Sequence, residues 1–276
     1  MTSVLRNYNN LTQRIIAAVI GAFIIIFGTA YSQWSYFAVF FIICMLAQLE
    51  FYTLTGLAGR IPLKTFGTIT GLLLFTLSFL IEAGVIGSKF YFLIFPVTAG
   101  IFLIKLYKKQ DHKPFANIAF TFLGIIFIAL PFVLLNISSY SQGHYSYEII
   151  LGCLLIIWAS DTGAYFAGRR FGKRKLFERV SPKKSWEGSV GGALLAAIMG
   201  LTISFYFHDL PQWKWITISG IIIVAGTYGD LVESLFKRSI KVKDSGSVIP
   251  GHGGFLDRFD SLLLSTPFLV TFLKIF

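Results

Sequence analysis

Residues 148–168 read E-I-I-L-G-C-L-L-I-I-W-A-S-D-T-G-A-Y-F-A-G, a run of 21 residues that opens on Glu148 and carries one further carboxylate, Asp161, in its interior. A bilayer crossing needs roughly 20 mostly apolar residues. In hydrocarbon every backbone amide must be paired within its own segment, so such a run is a helix. Outward from it lie eight more runs of the same kind, about 15–31, 34–54, 66–82, 88–106, 115–136, 189–207, 213–236 and 259–276. The apolar stretches are too continuous for the alternating pattern of a membrane barrel. The whole chain of 276 residues is 55% hydrophobic and only 13% charged, with mean hydropathy +0.72. A soluble domain carries about 25% charged residues. The expected fold is an all-α polytopic membrane protein of about nine transmembrane helices.

The net charge of +11 is explained by orientation, not by nucleic acid, and no nucleic-acid partner is expected. With the N-terminus in the cytoplasm and nine alternating spans, 21 of the 24 Lys and Arg fall on the cytoplasmic side. Only Lys89, Lys214 and Lys274 remain outside, which is the positive-inside pattern. The basic, then apolar, N-terminus resembles a signal peptide, but its apolar run is long and is read as the first anchor. Cys44 and Cys153 fall inside apolar runs and read as small fillers.

Polar chemistry is unevenly distributed. Residues 1–113 are apolar spans with short basic loops, whereas residues 114–276 hold every dense polar stretch and are expected to form the catalytic region. Glu82, Glu148 and Asp209 sit at outer span ends, and Asp111 and Glu178 among cations of inner loops, as ordinary solvated acids would. Glu50 lies within the second span near its inner end. A functional group and a carboxylate reaching for the interface are equally consistent with that place. The remaining acids converge on one membrane face: Asp161, Asp230, Asp257 and Asp260 each lie near the inner end of an apolar run. A carboxylate at such depth is costly unless it meets a cavity, a cation or a partner. Ion pairing with nearby Lys and Arg is the plain alternative.

Spacing sharpens the reading. Asp230, Glu233 and Ser234 share one helical face at i, i+3 and i+4, and Asp257, Asp260 and Ser261 repeat it on the next helix. Two helices can thus present carboxylates to one point. Hard oxygen donors suit Mg²⁺, which takes one or two carboxylates and completes its shell with water and phosphates. Zinc would want His or Cys, and only His252 is near. Pro250-Gly251-His252-Gly253-Gly254 can turn backbone N–H groups toward an anion, immediately before the helix that carries Asp257. Lys241, Lys243, Asp244 and Arg258 flank it. The second basic loop, Ser181-Pro182-Lys183-Lys184-Ser185-Trp186-Glu187-Gly188, again mixes cation, hydroxyl and carboxylate, although positive-inside charge and attraction to anionic lipid would also account for its lysines.

Residues 234–260, S-L-F-K-R-S-I-K-V-K-D-S-G-S-V-I-P-G-H-G-G-F-L-D-R-F-D, closely resemble the hallmark motif of phosphatidate cytidylyltransferases, the CDP-diacylglycerol synthases. S-D-T-G-A-Y-F-A-G-R at 160–169 and S-P-K-K-S-W-E-G at 181–188 look like the same family. The match covers roughly residues 158–261, and the first 110 residues add only compatible hydropathy. The resemblance implies CTP and phosphatidate as substrates, Mg²⁺ as cofactor with room for a second ion such as K⁺, and a homodimer in the bilayer (the inner membrane of a bacterium). Its polar site would face the cytoplasm. It also implies that Asp230 and Asp257 hold the metal, with Asp161, Asp244 or Asp260 supporting them or a second ion. Lys184, Lys237, Arg238, Lys243 and Arg258 would meet phosphates, His252 to Gly254 would cradle the triphosphate, and Ser185, Glu187 and Ser234 would assist in substrate binding. Two rivals differ in product. A CTP-dependent lipid kinase would release CDP, and an ion-coupled transporter would consume no nucleotide.

Overall fold

The computed structural model describes residues 10–109, 111–242, 245–246 and 253–276, and of residues 10–14 the backbone only. The expected Lys243, Asp244 and His252 lie outside the described residues. Helices lie over all nine apolar runs. α1 is Asn10–Tyr31, α2 Gln33–Leu57 and α3 Lys64–Glu82. A 3₁₀ turn, Ser88–Leu93, leads into α4, Ile94–Leu106. α5 (Pro114–Gly124) continues through a π turn at Ile125–Ala129 into α6 (Leu130–Ser139) as one rod. α7 is Tyr147–Phe171 and α8 Trp186–Ile203. α9 (Gln212–Ile221) likewise runs through a π turn, Ile222–Gly226, into α10 (Thr227–Ser239), and α11 is Leu256–Ile275. Seven of the described helical segments are long and apolar enough to cross a membrane. Ile15–Tyr31 of α1 is a shorter apolar helix, and α11 carries Asp257, Arg258 and Asp260 in its first turns.

One element departs from the all-helical expectation. The basic loop between α7 and α8 folds as an antiparallel hairpin, β1 (Lys175–Phe177) and β2 (Ser181–Ser185). It lies beyond the apolar runs, where water can satisfy its free edges, so the rule against strands in hydrocarbon does not reach it. Helix ends also overrun the apolar windows, because caps stop helices and hydropathy does not. Ser146 caps α7 by accepting from the Ile149 amide, and Ser185 caps α8 by accepting from the Gly188 amide.

One core joins the two halves of the chain. Phe40 of α2 meets Phe132 of α6 edge-on, and Phe132 meets Phe259 of α11, with centroids 6.4 and 6.0 Å apart. Among the described residues, helices before residue 113 therefore pack directly on helices after it. The tightest seam is α7 on α8. A Cβ on Gly163 would stand 2.5 Å from the Gly191 carbonyl oxygen, and one on Gly192 2.7 Å from that of Ser160. Between apolar helices in lipid, such small-residue contact supplies the packing that the hydrophobic effect does not. Gly163→Val should therefore force the seam apart, at about 1–3 kcal/mol for overpacking. A thermal midpoint equal to the parent's, measured in detergent, would show that the backbones do not touch there.

Candidate active site

The seam holds one wall of a cavity of about 400 Å³ between α7, α8, α10 and α11. α7 contributes Ser160 and Asp161, and Lys183, Lys184 and Ser185 come from β2 at the mouth of α8. α10 contributes Thr227 and Asp230, and α11 Asp257, Arg258, Asp260 and Ser261. Ile157, Gly192 and Ile222 line its more apolar part. The π turn at 222–226 opens onto this cavity through Ile222 and Gly226. Such a turn widens the helix by one residue, a feature frequent at functional sites.

The cavity's charges are arranged in two groups. In the first, the Lys184 Nζ stands 2.6 Å from Asp230 Oδ2, and the Ser234 hydroxyl donates to Asp230 Oδ1 at 3.2 Å. Asp161 and Asp260 both lie within electrostatic reach of Asp230, and Lys184 acts on both. Three carboxylates in one recess repel unless cations stand among them, and Lys184 and Arg258 supply that charge. In the second group, the Lys237 Nζ bridges Glu233 Oε2 at 2.8 Å and Asp257 Oδ1 at 2.5 Å. The other oxygen of Asp257 accepts from the Ser245 and Gly254 amides at 3.0 and 3.2 Å.

Of the residues expected at the site, Asp161, Lys184, Ser185, Asp230, Asp257, Arg258 and Asp260 share the cavity wall. Ser234 reaches it through Asp230. Four others are engaged elsewhere. Lys237 is held between two carboxylates instead of facing open space. Arg238 donates to the Val242 carbonyl at 3.2 Å and reaches toward that of Val180. Glu187 accepts from the Lys173 and Arg174 amides at 3.0 and 3.2 Å, fastening the start of the hairpin to α8. Gly254 is buried against Glu50 and Ser245. Gly253 has φ +87°, a conformation that glycine adopts without strain. Glu233 and Lys183 were not singled out as site residues. The i, i+4 spacing of Glu233 to Lys237 was the available signal for the first, and nothing but position in the basic loop for the second.

The donor set suits a hard divalent cation. Among the described residues no three His, Cys, Asp or Glu side chains stand close enough to form a complete protein cage. Mg²⁺ does not need one, since it usually takes one or two carboxylates and keeps water and substrate phosphates. Asp257 already accepts three donors, leaving about one of the roughly four lone-pair sites of a carboxylate.

This fold and cavity define an integral membrane protein with a charge-lined recess cut into a helix bundle. The model of the cytidylyltransferase family matches residues 12–276, and the chain belongs to that family. A phosphatidate cytidylyltransferase of Bacillus subtilis strain 168 is 34% identical over 270 residues, covering 95% of this chain and 96% of that protein. One from Haemophilus influenzae is 40% identical over 172 residues, 60% of this chain and 59% of its own length. One from Staphylococcus saprophyticus is 41% identical over 161 residues, 58% of this chain and 60% of its own length. In these last two the matched stretch spans less than two thirds of the relative.

Proposed function

We propose that the protein converts CTP and phosphatidate to CDP-diacylglycerol and pyrophosphate, with the cavity opening to the cytoplasm. The observation that carries this reading is the cavity itself: carboxylates from three helices and lysines of the hairpin meet at one recess, in a chain whose relatives bear that enzyme's name. A phosphate oxygen of phosphatidate attacks the α-phosphorus of CTP. The bond from the α-phosphorus to the bridging oxygen breaks, and pyrophosphate leaves with the electron pair. The nucleophile is already an anion near neutral pH, so the site needs alignment and charge neutralisation more than a strong base. This accounts for a recess rich in Asp, Lys and Arg.

Asp230 with Asp257 or Asp260 would hold Mg²⁺, which when bound neutralises phosphate charge and aligns the two reactants. Lys184 shields Asp230 until an anion arrives, and its ammonium can then turn to phosphate. Lys183 and Arg258 add positive charge at the same recess. The apolar part of the wall, Ile157 and Ile222, gives the lipid's glycerol end a place beside the polar end. The hairpin directly follows the last turn of α7 with Arg169 and Arg170, and Arg238 in the last turn of α10 reaches toward the hairpin's Val180 carbonyl. That crowding of cations supports a cytoplasmic orientation with nine crossings and an N-terminus on the same side. A K⁺ ion and the homodimer belong to the same proposal.

The test is direct. Purified protein with labelled CTP, phosphatidate and Mg²⁺ should place cytidine label in the lipid phase and release pyrophosphate. Chelation by EDTA should lower turnover by about 100-fold or more, and added Mg²⁺ should restore it. Release of CDP with a newly phosphorylated lipid would make the protein a kinase. Absence of any nucleotide consumption would remove the reading altogether.

A further inference from the structure

Glu50 of α2 lies outside the cavity wall, on the N-terminal part of the chain, and the mechanism above leaves it unused. It is 7% exposed, so it does not reach to the interface for solvation. Its Oε2 accepts from the Leu256 amide at 2.8 Å and from the Ser245 hydroxyl at 3.0 Å. Leu256 is the first residue of α11, whose own flanking residue Phe255 offers no side-chain cap. A carboxylate from a distant helix thus takes the place of an N-cap, where negative charge also suits the helix dipole. A Cβ added to Gly246 or Gly254 would overlap this carboxylate. Neither glycine has its φ in the left-handed range, so space for Glu50, not backbone conformation, is what demands glycine there.

Asp257 grips the same stretches of chain through the Ser245 and Gly254 amides. Ser245 and Gly254 are therefore clamped between two carboxylates, one on α2 and one on α11. Phe51, the neighbour of Glu50, stacks on Phe236 of α10 with centroids 5.1 Å apart, which fixes α2 against the helix bearing Asp230. Both hydrogen bonds to Glu50 fall on Oε2, while Oε1 is buried with no hydrogen-bond partner among the described residues, so the carboxylate depends on the Ser245 and Leu256 contacts.

We infer that Glu50 is a positioning residue for the cytidylyltransferase reaction. It holds the neck of the segment 245–254 and the start of α11 so that Asp257 and Arg258 face the cavity. The inference rests on the activity proposed above. Its test compares Glu50→Ala, Glu50→Asp and Glu50→Gln with the parent protein, by steady-state kinetics in CTP and by amide exchange over residues 245–256. Ala abolishes the acceptor and Asp withdraws it by one methylene. Both should lower kcat by about 10- to 100-fold, the range seen when the partner that orients a ligating group is removed. Both should also speed exchange across 245–256 while the remaining helices stay protected. Gln keeps an acceptor oxygen at the same reach and should recover most of the kcat. Parental kcat in Glu50→Ala, unchanged exchange, or a Gln variant as impaired as Ala would each overturn the inference. If Glu50→Ala fails to insert, Ser245→Ala removes one of the two contacts. It should reproduce the faster local exchange with a smaller loss of kcat, and no change in either would count against the clamp. An inactive parent protein would instead sink the proposed activity, and exchange alone would then decide the clamp.

Discussion

Asp230→Asn is expected to reduce CDP-diacylglycerol synthesis by at least about 100-fold while leaving the protein folded. Stabilisation of phosphate charge by a bound cation is worth several kcal/mol, and each 1.36 kcal/mol is tenfold in rate. Asn keeps the shape of Asp230 and its acceptor for Ser234, but it cannot bind a divalent cation as a carboxylate does, nor neutralise Lys184. The fold should hardly notice. The side chains of Asp230 and Lys184 are 33% and 25% exposed, and partly solvated pairs of this kind contribute about 0–1 kcal/mol. The effect should therefore show in kcat and in the Mg²⁺ concentration needed for half-maximal rate, with the thermal midpoint little moved. Lys184→Ala offers the contrast: it leaves the carboxylates in place and should act mainly on KM for CTP. Near-parental turnover in a correctly inserted Asp230→Asn protein would refute the assignment of Asp230 to the metal, whatever family the chain belongs to.

What could be read from residues alone follows from what hydropathy reports. Apolar runs locate helices because the bilayer forbids unpaired amides, and every run expected to be helical is so. Hydropathy says nothing about hydrogen-bond register, so the π turns at 125–129 and 222–226 are invisible inside continuous apolar runs, although the second shapes the cavity. The hairpin strands K-L-F and S-P-K-K-S are too short and too polar to show alternation. Depth and charge marked Asp161, Asp230, Asp257 and Asp260, because an acid near the end of an apolar run is costly and asks for a reason. The same signal at Glu50 could not be resolved, since depth tells that a partner is needed and not which one. Its partners, Ser245 and Leu256, lie about 200 residues further on. Lys237 shows the opposite limit. Its neighbour Glu233 one turn back was visible, but Asp257 reaches it only through the packing of α10 on α11.

Lys237→Met should be the most destabilising single change at the site. The Lys237 ammonium sits between the carboxylates of Glu233 and Asp257, with side chains 11%, 1% and 12% exposed respectively. Met fills the same volume without charge, so the two acids would face each other with little water between them. Removing one partner of a buried ion pair costs about 3–5 kcal/mol, because an uncompensated charge is left behind. The thermal midpoint in detergent should fall accordingly, and catalysis should fall with it, since Asp257 also holds Ser245 and Gly254 beside the cavity. Neutralising Glu233 as well should relieve the repulsion. The double variant Lys237→Met with Glu233→Gln is therefore expected to be more stable than Lys237→Met alone, a non-additivity that contacting residues show and distant ones do not. A different outcome would reassign the residue. If Lys237→Met keeps the parental midpoint and raises only KM for CTP, the ammonium serves phosphate in solution and the buried bridge is not what holds α10 to α11.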